Sequence, residues 1–189
     1  ISIYWLIYLV YFCILALVMY LNCKTYFSFR YGTFGTQELV NTAVDAGVTS
    51  LALTNINSTC DTWDFVKFCR EAGIKPVVGA EIRNGNNLEY ILLAANNKGF
   101  RWINAFLSSH LQEQKPFPTH TENIPFFFFL WDGYVIYPSG KKELRELLAN
   151  EHIGILPWEV NKLFGIDVNS AGDKLVIRQP VTFQNKAYY

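Results

Sequence analysis

The sequence of 189 residues is poor in charged residues and has no net charge, and these shortages exclude several classes of protein. Charged residues make up 17% of the chain, below the roughly 25% of a typical soluble domain. Because 16 Lys and Arg balance 16 Asp and Glu, a basic nucleic-acid-binding module is not expected. Hydrophobic residues make up 51%, and this share excludes disorder as the main state.

Cysteine motifs for metal binding are also absent. The four cysteines are Cys13, Cys23, Cys60 and Cys69, and no two of them have the spacing of a CxxC motif or of a zinc finger. We expect these cysteines to be reduced and buried in a cytoplasmic protein, because cytosolic cysteines seldom form disulfides.

Residues 1–18 form an uncharged apolar head, and the stretch Ile1–Leu21 is long enough to cross a hydrocarbon core of about 30 Å as a helix. One interpretation is a membrane anchor. No Lys or Arg precedes the stretch, and it has neither the basic segment nor the cleavage site of a signal peptide. The other interpretation is translated upstream sequence with Met19 as the initiator, since residue 1 is Ile.

From Met19 onward, strand and helix patterns alternate with short connections. Thr36 and Asp61 are suitable helix N-caps, and Gly47 and Gly73 mark helix ends. This alternation predicts an α/β fold with βαβ units and a parallel sheet. The predicted strands are Met19–Cys23, Val48–Thr54, Ile74–Ala80, Leu88–Ala95, Gly133–Tyr137, His152–Leu156, Lys174–Arg178 and Val181–Phe183, with further helices near Asn97–Leu111, Lys141–Asn150 and Pro157–Phe164.

In parallel α/β folds, catalytic and ligand-binding residues cluster at the carboxyl ends of the strands. Three such places are residues 22–24 (Asn-Cys-Lys), 54–57 (Thr-Asn-Ile-Asn) and 79–81 (Gly-Ala-Glu). A hydrolytic metal site needs imidazoles and carboxylates that converge there. Only Glu81 meets this requirement.

Four segments, in this order and spacing, carry a family resemblance: MYLNCKTYFSFRYGTFGTQELV, SLALTNINST, AGIKPVVGAEIR and LLAANNKGFRWINAFLS. They resemble the N-terminal PHP (polymerase and histidinol phosphatase) domain of the bacterial DNA polymerase III alpha subunit, and GYVIYP, IGILP and KLVIRQPVTF continue the resemblance. The resemblance implies an α/β fold of the PHP-type distorted (β/α) barrel over residues 19–189, truncated at its C-terminal side and therefore incomplete. It also places Met19 where such subunits start, which favours upstream translation for residues 1–18.

Active PHP domains carry metal ligands whose positions the resemblance places in this sequence. Their His-x-His pair falls on Asn22 and Lys24, their Asp-His pair falls on Asn55 and Ile56, and their Gly-x-Glu carboxylate is retained as Glu81. The ligand is lost at every one of these positions except Glu81, and Lys and Ile side chains do not ligate metals. We therefore expect vestigial ligand positions, no catalytic residue and no cofactor, whereas intact family members bind divalent metal.

The remaining carboxylate needs a partner if it is buried. One hypothesis is that the Lys24 ammonium replaces the metal and pairs with Glu81, and the alternative is that both side chains point into solvent. The three histidines, His110, His120 and His152, lie far apart and outside the placed motifs, so we expect structural roles for them.

The resemblance implies a fragment of a replicative DNA-directed DNA polymerase, a nucleotidyltransferase of DNA replication in the cytoplasm. This fragment is expected to be a scaffold that packs on the remainder of the alpha subunit and, by analogy, on a proofreading exonuclease, with DNA contacted only through the parent enzyme. The alternatives are a metal-dependent phosphoesterase or 3'-5' exonuclease of the PHP family, and a membrane-tethered interaction protein.

Two further predictions concern the surface. We expect the aromatic loop, residues 26–31, to pack against the barrel rim, because little positive charge is interleaved with its aromatic residues. We expect Lys141 and Lys142 to lie on a solvated helix face, because Glu143 and Glu146 follow them closely.

Overall fold

A computed structural model describes residues 19–124, 132–163 and 171–183 of the chain. The interpretations of residues 1–18 concern a segment outside the described residues. The same is true of the phenylalanine tract Phe126–Leu130, for which the sequence offers no functional interpretation.

The described residues form eight strands and three α-helices, connected in places by short 3₁₀ turns. In chain order they are β1 (Met19–Cys23), α1 (Thr36–Asp45), β2 (Ser50–Leu53), α2 (Thr62–Glu71), β3 (Lys75–Asn84), β4 (Asn87–Ala94), α3 (Asn97–Gln112), β5 (Gly133–Pro138), β6 (Glu151–Ile155), β7 (Leu175–Ile177) and β8 (Pro180–Val181).

The helix boundaries lie close to the predicted signals. Gly35, not Thr36, is the N-cap of α1, and its N–H donates to the Glu38 carboxylate at 3.0 Å. Asp61 is the N-cap of α2, as predicted, although its side chain makes no capping hydrogen bond. Gly47 and Gly73 follow α1 and α2 with φ of 68° and 74°, a backbone conformation that glycine adopts without strain.

The strands form one mixed sheet in the order β7-β6-β5-β4-β3-β2-β1-β8. The prediction of a parallel sheet holds for β1, β2 and β3 and for β5, β6 and β7. It is wrong at β4, which pairs antiparallel with both β3 and β5. The physical reason is the tight turn at residues 84–87, where Gly85 has a φ of 59°, because such a turn can join only antiparallel neighbours. β3 accordingly continues to Asn84 and does not end at Ala80.

The sheet curls until its two edges nearly meet. β7 and β8 lie at opposite ends of the strand order, yet only Arg178 and Gln179 separate them in the chain. The first part of this closing segment, residues 175–181, pairs with β6, and its last part pairs with β1. Each edge strand therefore contributes to an incomplete α/β barrel, in which no ladder between β7 and β8 is found among the described strands.

The apolar core has one layer on each face of the sheet. Helices α1 and α2 cover the β1–β2 half, where Phe34, Leu39 and Phe65 are buried, and α3 covers the β3–β5 half. The face without helices, called here the inner face, carries a smaller buried cluster. Its members are Ala52, Ile91, Leu93 and Ile136, with Leu21, Val77, Leu88 and Val176 packed against them.

The prediction of a helix over Lys141–Asn150 is wrong. Only a 3₁₀ turn, Leu144–Glu146, forms in this part of the chain. Lys142 is buried instead of solvated, because its Nζ pairs with Glu151 Oε2 at 2.7 Å and with Glu122. Lys141 pairs with Glu89 on β4 at 2.6 Å, so it is also unlike a free surface lysine.

The cysteine prediction is only partly correct. Cys23 and Cys69 are free and buried, and burial raises the pKa of each thiol to about 12. Cys60 is exposed, which contradicts the expectation, and Cys13 lies outside the described residues. In the three described ranges, no helix combines the length and the apolar character that crossing a bilayer requires.

Candidate functional site

The parallel strands β1, β2 and β3 present their carboxyl ends at one edge of the sheet. Cys23 belongs to the core under the helices, so its neighbours Asn22 and Lys24 lie on the inner face. The pairing of β1 with β2 is irregular between Tyr20 and Cys23, which lets Leu21 face the inner side as well. Glu81 lies on the inner face of β3 for the same reason, since both of its neighbours pack under α3. The sheet therefore brings three of the sequence-predicted site residues together.

Lys24 reaches from β1 across β2 to Glu81 on β3. Its Nζ lies 2.7 Å from Glu81 Oε2, and the lysine is 1% exposed while the glutamate is fully buried. The same Nζ donates a hydrogen bond of 2.7 Å to Asn22 Oδ1, which also accepts one of 3.0 Å from Thr54 Oγ1. An ammonium group is thus held between a carboxylate and an amide oxygen.

Glu81 has a second cationic partner, Arg83, which the sequence reasoning missed. Arg83 Nε donates to Glu81 Oε1 at 2.5 Å. Its guanidinium lies over the ring of Tyr31, 4.6 Å from the ring centre. Side chains two residues apart on a strand lie on the same face, so the sequence itself could have predicted that Arg83 lies beside Glu81.

The charged groups of the site shift one another's pKa values. Burial raises the pKa of a carboxyl group, but Lys24 and Arg83 outweigh it and hold the pKa of Glu81 below its usual value. Burial lowers the pKa of Lys24, and the attraction of Glu81 opposes this shift. Glu81 is therefore a carboxylate at neutral pH. Because two cations hold it and its pKa is lowered, it is a poor general base.

Asn55 and Ile56 extend the edge of β2 alongside β3, but the Asn55 side chain faces another group of residues. Ile56 pairs with Glu81 through the backbone. The Asn55 amide lies between the loop after β1 and the start of α2, where Oδ1 accepts from Ser28 Oγ at 2.7 Å and Nδ2 donates to Asp61 Oδ1 at 2.8 Å. The five predicted positions thus form two adjoining clusters.

Asp61 is the centre of the second cluster, a role that its interpretation as a helix cap did not include. Its Oδ2 accepts hydrogen bonds from Thr36 Oγ1 at 2.7 Å and from Thr25 Oγ1 at 2.8 Å. Burial raises the pKa of Asp61, although the hydrogen bonds from Thr36, Thr25 and Asn55 oppose the shift. This carboxylate fastens the loop after β1 to the starts of both α1 and α2.

Arg178 also lies near these charged residues, and the sequence did not predict it as a site residue. It lies in the closing segment, two positions after Val176 of the inner-face cluster, and it is 7% exposed. Burial lowers its pKa, while Glu81 and Arg83 lie near enough to act on that pKa in opposite directions. No local motif marks Arg178, because only closure of the sheet brings it to this edge.

Glu151 forms a separate buried cluster beneath the helix side of β6. Its Oε1 accepts from Thr121 Oγ1 at 2.6 Å, and its Oε2 accepts from Leu148 N at 3.0 Å and from Lys142. Burial raises the pKa of a carboxyl group, but these contacts hold the pKa of Glu151 below its usual value. The cluster joins two connecting segments to the sheet, the one before β5 and the one after it.

The histidines do not converge on the candidate site. His110 contacts Phe106 O within α3 at 3.0 Å, His120 lies 3.3 Å from Lys141 O, and His152 is on β6. Over residues 19–124, 132–163 and 171–183, no three His, Cys, Asp or Glu side chains are grouped closely enough to hold a metal ion.

A cavity of about 600 Å³ opens elsewhere, at the amino ends of β1 and β3. The inner-face residues Leu21, Val77, Leu93, Ile136 and Val176 line it. None of the predicted site residues lines this cavity. Trp63, Val66 and Arg70 of α2 also line the cavity, so it is not confined to the inner face. The largely apolar cavity is therefore separate from the charged site.

The expectation that the aromatic loop packs against the barrel rim is wrong for most of its rings. Phe29 is 83% exposed, and Tyr26 and Phe27 are also exposed. The reason is that the polar residue Ser28 is the one that turns inward, toward Asn55. Only Tyr31 packs inward, beneath the guanidinium described above.

Comparison with known proteins identifies the family. The sequence model of the PHP domain matches residues 21–155, which is well over half of the chain. Among curated proteins, the chain is similar to the error-prone DNA polymerase of Symbiobacterium thermophilum, with 31% identity over 98 residues that cover 52% of this chain and 9% of the polymerase. It is also similar to the DNA polymerase III subunit alpha of Haemophilus influenzae, with 27% identity over 148 residues that cover 69% of this chain and 12% of the subunit.

The chain therefore spans about a tenth of the length of these polymerases. Among solved structures, it is similar to a Bifidobacterium adolescentis protein that has been provisionally assigned as a metal-dependent phosphoesterase, with a TM-score of 0.51 and 14% identity over 90% of this chain and 89% of that one. This likeness shows the fold and confirms the PHP-type α/β barrel predicted from the sequence. The chain belongs to the PHP domain family, and its relatives include the alpha subunit of DNA polymerase III and error-prone DNA polymerase.

Proposed function

We propose that this chain is the PHP domain of a replicative DNA polymerase of the DNA polymerase III alpha type, in which a protein cation replaces the divalent metal and the domain acts as a scaffold without hydrolytic activity. The polymerase context is supported by the curated relatives, which include the DNA polymerase III subunit alpha of Haemophilus influenzae at 27% identity. The loss of the metal is argued from the residues at the sheet edge.

The observation that carries the proposal is the position of the Lys24 ammonium. Its nitrogen lies 2.7 Å from Glu81 Oε2 and 2.7 Å from Asn22 Oδ1, two oxygen atoms that could otherwise ligate a metal. A divalent cation at the same place would meet a positive charge within contact distance, and repulsion between cations at this range is severe in a buried site. The residues present therefore do not fit a metal centre.

The other vestigial positions support the same conclusion. Ile56 has no donor atom in its side chain. Asn55 Oδ1 already accepts hydrogen bonds from Ser28 Oγ and from the backbone N–H of Thr25. A metal would have to displace those donors to gain a single neutral oxygen ligand, which is weaker than the carboxylate and imidazole ligands that divalent metals prefer.

A scaffold needs a surface to which its partners bind, and the aromatic loop supplies one. Tyr26, Phe27 and Phe29 are exposed on the same loop, and exposed aromatic groups of this kind mark interaction surfaces. We propose that this loop packs on the remainder of the alpha subunit in the cytoplasm. A proofreading exonuclease is a second proposed partner, and DNA is reached through the parent enzyme.

The competing function is that of a metal-dependent phosphoesterase or exonuclease, which the provisional assignment of the structural relative raises. It requires a bound metal and a carboxylate that ligates it. Glu81 is the only carboxylate among the five vestigial positions, so this function depends on Glu81.

Metal analysis of the full chain, purified without chelator, distinguishes the two functions. We expect less than one tenth of an equivalent of manganese or zinc, and no metal-stimulated hydrolysis of single-stranded DNA or of a phosphomonoester. Glu81→Ala should leave both readings unchanged, as should the matched control Glu89→Ala, which removes another buried carboxylate. Stoichiometric metal that is lost in Glu81→Ala and kept in Glu89→Ala would refute the proposal.

A further inference from the structure

The cavity at the amino ends of β1 and β3 is large enough for a small-molecule ligand. Its volume is about 600 Å³, and ligand sites in proteins span roughly 300–1,000 Å³. Apolar side chains form most of its wall, among them Leu21, Val77, Leu93 and Ile136. Water finds few hydrogen-bond partners against such a wall, whereas an apolar ligand is stabilised by leaving water for it.

The cavity bends around the first residues of β3. Val77 packs with the inner-face cluster and Val78 packs with the core under α1 and α2, so these neighbours point to opposite faces of the sheet. Both residues line the cavity. One arm of it therefore lies on the inner face, and the other lies beside α2, where Trp63 and Val66 form the wall. A flexible chain can follow this bend, whereas a rigid ring system fits only one arm.

The charged residues of the wall are both cationic. They are Arg70, near the end of α2, and Lys75, the first residue of β3, and no Asp or Glu of the described residues lines the cavity. Both side chains are exposed, and neither forms an ion pair within the described ranges. His152 also lines the cavity, but burial and the charge of Lys174 lower its pKa, so its ring is neutral at pH 7. A ligand with one negative group at the end of an apolar body therefore complements this wall, and a cationic ligand does not.

We propose that this cavity binds a fatty acid, with the alkyl chain along the apolar wall and the carboxylate beside Arg70 and Lys75. The alkyl chain supplies both the flexibility that the bend requires and the apolar area that the wall buries. The two cations attract the carboxylate as exposed ion pairs do, so most of the affinity comes from the alkyl chain. The inference goes beyond the proposed function and does not depend on it, because none of the five vestigial positions lines the cavity.

The test is titration of the full chain with sodium decanoate below the concentration at which it forms micelles, followed by calorimetry and by tryptophan fluorescence. We expect saturable binding of one decanoate per chain. The emission should move to shorter wavelength, because Trp63 is 81% exposed and the ligand covers it. Trp63→Phe should remove most of this shift and leave the calorimetric binding in place. Decanol, which has no charge, should bind severalfold more weakly, and decyltrimethylammonium more weakly still.

The role of the two cations is tested with the double variant Arg70→Gln/Lys75→Gln. It should bind decanoate severalfold more weakly than wild type and bind decanol with unchanged affinity. The matched control is Lys67→Gln/Arg101→Gln, which removes two exposed cations of α2 and α3 that do not line the cavity. This control should leave both affinities unchanged. Because all four side chains are exposed, we expect both double variants to fold.

Three results would overturn the inference: no saturable decanoate binding by the full chain, equal decanoate affinity of wild type and Arg70→Gln/Lys75→Gln, or an emission shift that Trp63→Phe retains. In the first case, sedimentation velocity distinguishes the other occupants. A dimer assigns the cavity to a second copy of the chain, and a monomer favours a segment of the same chain. None of these results alters the metal content by which the proposed function is tested, so the two proposals fail separately.

Discussion

Replacement of Glu81 by Gln should destabilise the chain more than removal of the lysine with which it pairs. Glu81→Gln keeps the size of the side chain but removes its negative charge, so the Lys24 ammonium, 1% exposed, has neutral oxygens such as Asn22 Oδ1 as its partners. Loss of one member of a buried ion pair costs about 3–5 kcal/mol, because the other charge stays buried without compensation. We expect a loss of unfolding free energy within this range.

Lys24→Met should cost less, about 1.5–3 kcal/mol, the worth of a hydrogen bond to a charged group. Glu81 then keeps Arg83, whose Nε lies 2.5 Å from its other oxygen, and a methionine brings no charge into the interior. The double variant should be more stable than Glu81→Gln alone, since it contains no unpaired ammonium.

The measurement is urea denaturation of the full chain followed by circular dichroism, with Glu89→Gln as a control. Glu89 is also buried, but its partner Lys141 is partly exposed and can turn to solvent, so the control should lose less free energy than Glu81→Gln. The reasoning fails if Glu81→Gln is no more destabilising than Lys24→Met. It also fails if the effects of the two changes simply add in the double variant.

Three further predictions concern the second cluster, the acid limit and the hairpin. Asn55→Asp replaces a donor 2.8 Å from the Asp61 carboxylate with a like charge, so we expect a loss of unfolding free energy of about 1–3 kcal/mol. Urea denaturation at pH 7 measures it, and an unchanged midpoint would contradict this expectation. The pKa values of Glu81 and Glu151 are lowered in the folded chain. Their ionised carboxylates therefore stabilise the fold, fully so above the unfolded-state pKa of about 4.3. This stabilisation is lost as the pH falls through the folded-state pKa values. Unfolding free energy measured from pH 6 down to pH 3 should therefore fall below about pH 4.3, and a rise there would refute the assignment. Gly79→Ala places a Cβ 2.0 Å from a backbone oxygen of β4, so we expect a loss of about 2 kcal/mol or more. For a chain of this length, the thermal midpoint should fall by about 2–4 °C for each kcal/mol lost.

The first half of the candidate site could be predicted from the sequence because its geometry is local. Asn22 and Lys24 lie two residues apart on one strand, and strand alternation puts both on the same face. Glu81 follows from the same argument on β3, given that parallel strands present their carboxyl ends together. The family resemblance named these positions and the period of the strand explains why they converge.

The rest of the site depends on contacts that no local pattern reveals. Arg178 reaches the edge only because the sheet curls and the closing segment pairs with β6 and then with β1. The glutamates that follow Lys142 in the sequence predicted a solvated helix for it. In the structure Lys142 is buried against Glu151, nine residues later on β6, and this pairing outweighs the local preference for a helix. Local propensity is a weak prior when tertiary pairing competes with it.

The closing segment also determines when the outer edge of β1 is protected. Its partner on that side is β8, at residues 180–181. β1 and β8 lie near opposite ends of the described residues. Contacts between residues so far apart in sequence form slowly. Until β8 pairs with it, β1 has an unpaired side that can associate with a strand of another chain. Among the described strands, β1 is therefore the first to be synthesised and one of the last to be covered on both sides. We expect aggregation to compete with folding while this side of β1 is uncovered.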